Sequence, residues 1–373
     1  MIICFDCTAD TKKILDELLA MGEFKDHSEA INLALANQLL LQQKFDGDQT
    51  SLFPNDLSKR NGTAAFSKTT ESQVRRQNLG RTPVVAGNLP LIFSLEGLSE
   101  APNGYPDYPL DPATIHPGNK IFLDQWLFGQ YNRLLPAKAS CRALAHMLGD
   151  KPGGVSISEA ASHISEEAIK LGDFFANHDN KIELERDEKL STAFPSSFTN
   201  NVEKARARYE KQFVGSVNKA GVVSSLIISL KLANQTSEKT PKILLTKKGW
   251  EFALLPNPAL EGPFSKRPDK LSREEIELLL SHIRENVPVE YFAYTTLLSI
   301  IRRGSDTPEA IDKALQDFLP NQSPNDLSQG YISSQRSGAL SRMADLGLIF
   351  RKRDGVRVTY MVQEQGLRFL EGK

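Results

Sequence analysis

Disulfide chemistry, membrane insertion and export are the first things for which this sequence has too little material. Its 373 residues include three cysteines, Cys4, Cys7 and Cys141, too few for a disulfide framework. No apolar run approaches the roughly 18 residues that cross a bilayer. The opening stretch MIICFDCTAD has neither the basic segment nor the small-residue cleavage site of an export signal. The phosphate-loop motif GxxxxGKS/T, the dinucleotide motif GxGxxG and the hydrolase elbow GxSxG are all missing. Six histidines, at positions 27, 116, 146, 163, 178 and 282, form no HxxxH or HxH pair. Cys4 and Cys7 have metal-ligand spacing, but no second Cys or His pair lies near them in sequence to complete four ligands. The acidic ERDEK at 185–189 has no strand context and reads as a solvated loop. The expectation is a cytoplasmic protein that is not an enzyme, with no cofactor and no bound metal.

What is present is an ordinary globular composition, 40% hydrophobic and 24% charged, enough for more than one core in a chain long enough for two or three domains. The net charge of −1 conceals an uneven distribution. Residues 1–50 carry four Lys against nine Asp and Glu, a balance of −5. Residues 202–248 carry ten Lys and Arg against three Glu, a balance of +7. Residues 51–90 and 331–368 each come to +4, from six against two and seven against three. Basic blocks of this kind suit a polyanion partner, because each phosphate contact releases a condensed counterion. They equally suit solvated surfaces.

Along the chain, residues 1–8 alternate as a short strand. Ile14, Leu15, Leu18 and Leu19 then follow helical spacing up to Gly22, and a second helix opens near Ser28 with Glu29 in its first turn. The order strand, helix and GEFKDHSEAINLALANQL resembles the ribbon-helix-helix family, in which two chains form a ribbon that enters the major groove. The outer strand face here offers Ile2, Cys4 and Asp6, not the Arg, Lys, Asn or Gln that base edges require. The resemblance therefore implies a homodimerisation unit over residues 1–43 rather than a base reader. Residues 44–120 are dense in Gly, Pro, Ser, Thr, Asn and Asp and read as an extended arm. Its Lys59, Arg60, Lys68, Arg75, Arg76 and Arg81 could meet phosphates or simply solvate it.

From residue 121 the pattern is regular again, and it recurs. Helical segments interrupted at Pro136, a helical pair over Val155–Asn177, and the basic helix NNVEKARARYEKQFVGSV are followed by two β-rich runs, VVSSLIISLKL and PKILLT, around a polar turn. KKGWEFAL then makes a helix. Further on, three helices over LSREEIELLLSHIREN, AYTTLLSIIRRG and TPEAIDKALQDFL lead to YISSQRSGALSRMADLGLI, a turn at RKRDG, a strand VRVTYMV and a closing helix QEQGLRFL. LTKKGWEFAL matches VQEQGLRFL: a strand end, a Gly, then an aromatic-bearing helix. The spacing predicts an internal duplication.

Both halves resemble winged-helix domains, over 121–262 and 271–373, and the fold class expected is mainly α with small β-wings. The resemblance implies that the second recognition helix carries Ser333, Ser334, Gln335, Arg336 and Ser337 on its N-terminal half. Gln335 and Arg336 would read base edges, and Arg342 lies further along. Arg351, Lys352, Arg353 and Arg357 would crown the wing and meet phosphates. Ala339, Leu340, Met343, Leu346 and Leu348 are its core. In the first half the corresponding cations are Lys204, Arg206, Arg208 and Lys211 on the helix, with Lys231, Lys239 and Lys242 on a longer wing. The function expected is sequence-specific binding of double-stranded DNA by a dimeric, nucleoid-associated transcriptional regulator. The alternative is a non-catalytic assembly subunit of a chromosome-organising, mobile-element or defence complex.

Overall fold

The computed structural model describes residues 89–98, 121, 123–149, 151, 153–182, 184, 188–219, 221–236, 240–262, 264, 266–318 and 327–372. The ribbon-helix-helix-like segment and nearly all of the expected arm lie outside the described residues, as does Lys239. The described part is mainly helical with small antiparallel sheets. In chain order it runs α1 (Leu135–Leu148), β1 (Val155–Ser156), α2 (Ile157–Lys181), α3 (Val202–Tyr209, tightening into a π turn over Glu210–Val214), β2 (Ser216–Val217), β3 (Val223–Ser224), α4 (Leu226–Ser229), β4 (Ala233–Gln235), β5 (Lys242–Leu245) and α5 (Lys247–Leu254). There follow α6 (Arg273–Asn286), α7 (Pro288–Arg302), α8 (Pro308–Phe318), α9 (Gln329–Asp345), β6 (Ile349–Asp354), β7 (Arg357–Val362) and α10 (Glu364–Leu370). The sheets are β1-β5-β4, β2-β3 and β6-β7, every pair antiparallel.

Several boundaries differ from the sequence reading for local reasons. Pro136 opens α1 rather than interrupting it, since a proline in the first turn gives up only an amide that has no helical partner. The expected helical pair over Val155–Asn177 is one helix of 25 residues. Its stripe of Ala160, Ile164, Ala168, Leu171 and Phe175 is buried throughout. VVSSLIISLKL is not a strand. Ser225 caps α4 by accepting from the Ile228 amide, and only Val223 and Ser224 stay extended. A short β-branched apolar run is compatible with strand or helix, and the capping serine decides. Other start signals hold: Ser272 and Glu275 form a reciprocal capping box on α6, and Thr307 caps the Pro308-led α8.

The two halves repeat one local geometry. At the end of α4 the Leu232 amide reaches back to Ile227 O and Lys231 to Ile228 O; at the end of α9 Leu348 reaches Met343 O and Gly347 reaches Ala344 O. Both are Schellman closures. The left-handed position is Lys231 (φ 56°) in one and Gly347 (φ 69°) in the other. The carbonyl just after it is then covered twice over. Leu232 O accepts from the Thr246 amide and Leu348 O from Gln363. Gly249 and Gly366 sit on these same oxygens, so closely that a β-carbon would come within 1.8 and 2.3 Å of them. The helix that corresponds to α9 is therefore α4, not the basic helix α3, which is a separate element.

The described residues share one apolar core that runs from Phe93 through α1 to Phe369. At its centre α1 is buried on nearly all sides, including Lys138 and Arg142. Both side chains serve the C-terminal end of α5. Lys138 donates to Phe252 O and, at 2.7 Å, to Leu255 O; Arg142 donates to Ala253 O and Leu255 O. Helix-end carbonyls have no helical donor, and cations complement the dipole there. Glu275 of α6 balances Lys138 at 2.7 Å and Glu261 balances Arg142 at 2.7 Å. Burial draws the Lys138 ammonium down to about 8, although Glu275 pulls the other way.

Candidate nucleic-acid interface

The β6-β7 hairpin is where the sequence places the densest group of outward cations. Six residue pairs in register, from Ile349↔Val362 to Asp354↔Arg357, form a ribbon that turns at Gly355–Val356. Alternation puts Ile349 and Val362, Arg351 and Tyr360, and Arg353 and Val358 on one face, whose apolar members lean on the core while the two arginines stay exposed. The Tyr360 amide donates to Asp306 O at 2.8 Å and ties the ribbon to the loop after α7. The other face carries Phe350 beside Met361, then Lys352 beside Thr359, then Asp354 beside Arg357. Arg351, Lys352, Arg353 and Arg357 are all exposed, as expected. Among the described residues Lys352 and Arg357 make no ion pair, while Arg353 donates to Gly355 O. Arg302 and Arg303 stand exposed at the end of α7, the helix that packs on β7.

The helix before the hairpin is placed otherwise than expected. Gln335, Arg336 and Arg342 do not face outward. Gln335 is buried and donates to Trp126 O and to the Tyr331 hydroxyl. Arg336 is buried against Asp312 of α8, with Nε at 2.6 Å and Nη2 at 3.2 Å from the two carboxylate oxygens; Ser333 donates to the same carboxylate at 2.6 Å. Arg342 is wholly buried. Its Nε and Nη2 donate to Glu290 at 2.5 and 3.0 Å, and Nη1 to Tyr131 O. Burial alone would lower the Arg342 guanidinium, but Glu290 and Tyr294 together outweigh it and hold it above its usual range. The two expected base readers, Gln335 and Arg336, and Arg342 further along the helix are internal ties.

The physical cause is a segment from the other half. Residues 126–131 lie across α9, and backbone meets backbone where Gly129 faces Gly338: a β-carbon at either would fall 2.2 Å from a main-chain oxygen. What α9 leaves outside is Gln329, Gly330, Ser334, Ser337 and Ala344, with no cation among them. The expected core residues Ala339, Leu340, Met343, Leu346 and Leu348 are buried.

On α3, Lys204, Arg208 and Lys211 are exposed. Arg206 is half-buried and held by Glu166, Glu210 and the hydroxyls of Ser162 and Ser165, with Glu210 at 3.1 Å. It braces α3 against α2 and is not available to an external phosphate. Lys242 is half-buried on β5, and Lys231 occupies the left-handed helix end.

Two positions far apart in sequence do come together. Arg208 of α3 and Ser334 of α9 line one cleft of about 600 Å³, with Ser337 and with Arg133 from the segment that crosses α9. Arg133 carries no motif and could not have been singled out. The true counterpart of α9 in the first half had a signal, the match of Leu230-Lys231-Leu232 to Leu346-Gly347-Leu348, which the lysine at the glycine position obscures.

Among the described residues no group of three or more His, Cys, Asp or Glu is arranged to hold a metal ion. No helix among them is long and apolar enough to cross a membrane. Cys141 is buried, and burial pushes its thiol up to about 12, far from the range of a reactive thiolate. No family model, curated protein or solved structure matches this chain.

Proposed function

We propose that the protein binds double-stranded DNA as a non-catalytic, winged-helix-type protein, with the β6-β7 hairpin as its contact, and that it acts in transcriptional regulation. One observation carries this reading: Lys352 and Arg357, in no ion pair among the described residues although Asp354 stands across from Arg357, share one exposed face of a ribbon whose opposite face carries the exposed Arg351 and Arg353. A ribbon of this kind can follow a phosphate backbone or enter a groove. Base reading through Gln335, Arg336 and Arg342 is no part of the proposal, because those side chains serve the interior. Specificity would then rest on the hairpin and on duplex shape.

Binding of the full chain to a labelled 30-base-pair duplex, followed by fluorescence anisotropy across a salt series, tests it. The double variant Lys352→Glu/Arg357→Glu is expected to weaken binding at least tenfold. Losing two phosphate contacts flattens the log–log salt slope by about 1.8, at about 0.9 per contact. Unchanged affinity and slope would remove the hairpin from the interface.

The second reading, an assembly subunit, has its own observation. Phe350, Met361 and the tip residue Val356 are 51%, 48% and 69% exposed, and apolar side chains grouped on a ribbon suit a protein partner. Under that reading Phe350→Ser/Met361→Ser disrupts the assembly and leaves duplex affinity unchanged.

A further inference from the structure

The cleft between the two halves has a character of its own. Arg133, Arg208, Ser334 and Ser337 stand around it with the amides of Gln130 and Asn132, over a floor of Phe194, Tyr209 and Phe213. Neither Asp nor Glu lines it. Among the described residues Arg133 and Arg208 make no side-chain hydrogen bond or ion pair, although the buried arginines are tied to carboxylates. Arg133 also borders a small adjoining pocket that holds Lys189, Lys270 and Asp345. Asp345 is already committed, to Lys270 at 2.7 Å and to the Leu134 amide at 3.1 Å. Two cations, Arg133 and Arg208, therefore line the cleft with no carboxylate paired to them among the described residues.

The geometry points to a phosphate-binding site in this cleft, with Arg133 and Arg208 as the charged clamp and the Ser334 and Ser337 hydroxyls as neutral donors. Arginine forks match phosphate oxygens with two parallel hydrogen bonds. A volume of about 600 Å³ lies within the range of small-molecule sites, and the aromatic floor offers a surface for a ring. Hydroxyls and amides add hydrogen bonds without adding negative charge. The scaffold is rigid: Gln212 holds Gln130 at 3.0 Å, and the Tyr209 hydroxyl meets Ser140 at 3.2 Å. This inference does not depend on the duplex reading, which rests on the hairpin.

Calorimetric titration of the full chain with inorganic phosphate, and separately with adenosine 5′-monophosphate, tests it. Saturable binding is expected, at least tenfold weaker in Arg133→Gln and in Arg208→Gln and unchanged in Lys352→Glu. Neither arginine has a partner within the fold, so both variants should melt as the parent chain does. A competing duplex separates the two sources of phosphate. If it displaces the mononucleotide and loses affinity with Arg208→Gln, the cleft holds backbone phosphate; if the mononucleotide stays bound, the ligand is free. No saturable binding of either probe, or binding retained within twofold in the double variant, overturns the proposal.

Discussion

Arg342 separates the sequence-level expectation from the structure most cleanly, because the two assign it opposite jobs. Its guanidinium is wholly buried, with two bonds to Glu290 and one to the Tyr131 carbonyl. Arg342→Met keeps most of the aliphatic stem but leaves the buried Glu290 carboxylate and the Tyr131 oxygen without their donor. Removing one member of a buried pair costs about 3–5 kcal/mol. At about 2–4 °C per kcal/mol for a domain of this size, the melting midpoint should fall by about 6–20 °C. The partner substitution supplies the control. Arg342→Met/Glu290→Leu removes both charges at once, and since replacing a buried pair with apolar groups is often neutral, most of the loss should be recovered. Urea denaturation of the single and double variants, with duplex affinity measured on folded protein at low temperature, reads both quantities. A variant Arg342→Met as stable as the parent chain but impaired in duplex binding would refute the structural role.

Other outcomes follow from the duplicated closure and from the seam between the halves. Gly249→Ala and Gly366→Ala should each destabilise the fold by about 1–3 kcal/mol or more, since the new methyl meets a carbonyl oxygen; equilibrium denaturation checks this. Lys231→Gly relieves a left-handed lysine and should raise stability by about 0.5–1 kcal/mol on the same measurement. His282 is buried, with Nε2 donating to Leu230 O at 2.8 Å and Nδ1 accepting from Asn286 at 3.2 Å. Burial lowers its pKa below 6.5, Lys248 and Lys231 lower it further, and the Leu230 carbonyl and Glu285 oppose them. The unfolded chain thus takes up a proton near pH 6.5 that the folded chain refuses. Stability should be level above that pH and fall as the pH drops through and below it. Melting curves of His282→Gln should show a flatter slope in that window, and an unchanged slope would contradict the assignment.

How much of this was legible beforehand depends on the range over which each signal acts. The cap Thr307 and the Pro308 that follows it act within one turn, and the helix over TPEAIDKALQDFL starts there. The match of LTKKGWEFAL to VQEQGLRFL recurs in three dimensions because the glycine answers a carbonyl only one hairpin away. VVSSLIISLKL was misread because apolar periodicity over so short a run does not separate strand from helix. The order of elements and the winged-helix resemblance point to the basic helix at 202–211 as the counterpart of α9, but neither order nor charge says which element closes onto which strand.

The sequence alone determined the helical class, the duplication and the cationic hairpin, since each is written in contacts between near neighbours. Only the tertiary structure decided the fate of Gln335, Arg336 and Arg342, and it did so through residues more than twenty positions away. Asp312, Glu290 and the strip at 126–131 turn an apparently exposed helix face into an interior one. An arginine side chain can serve solvent, a phosphate or a buried carboxylate. Which of them it meets is set by where distant elements pack, and in α9 a glycine-to-glycine backbone approach brings the covering strip close enough to shut water out.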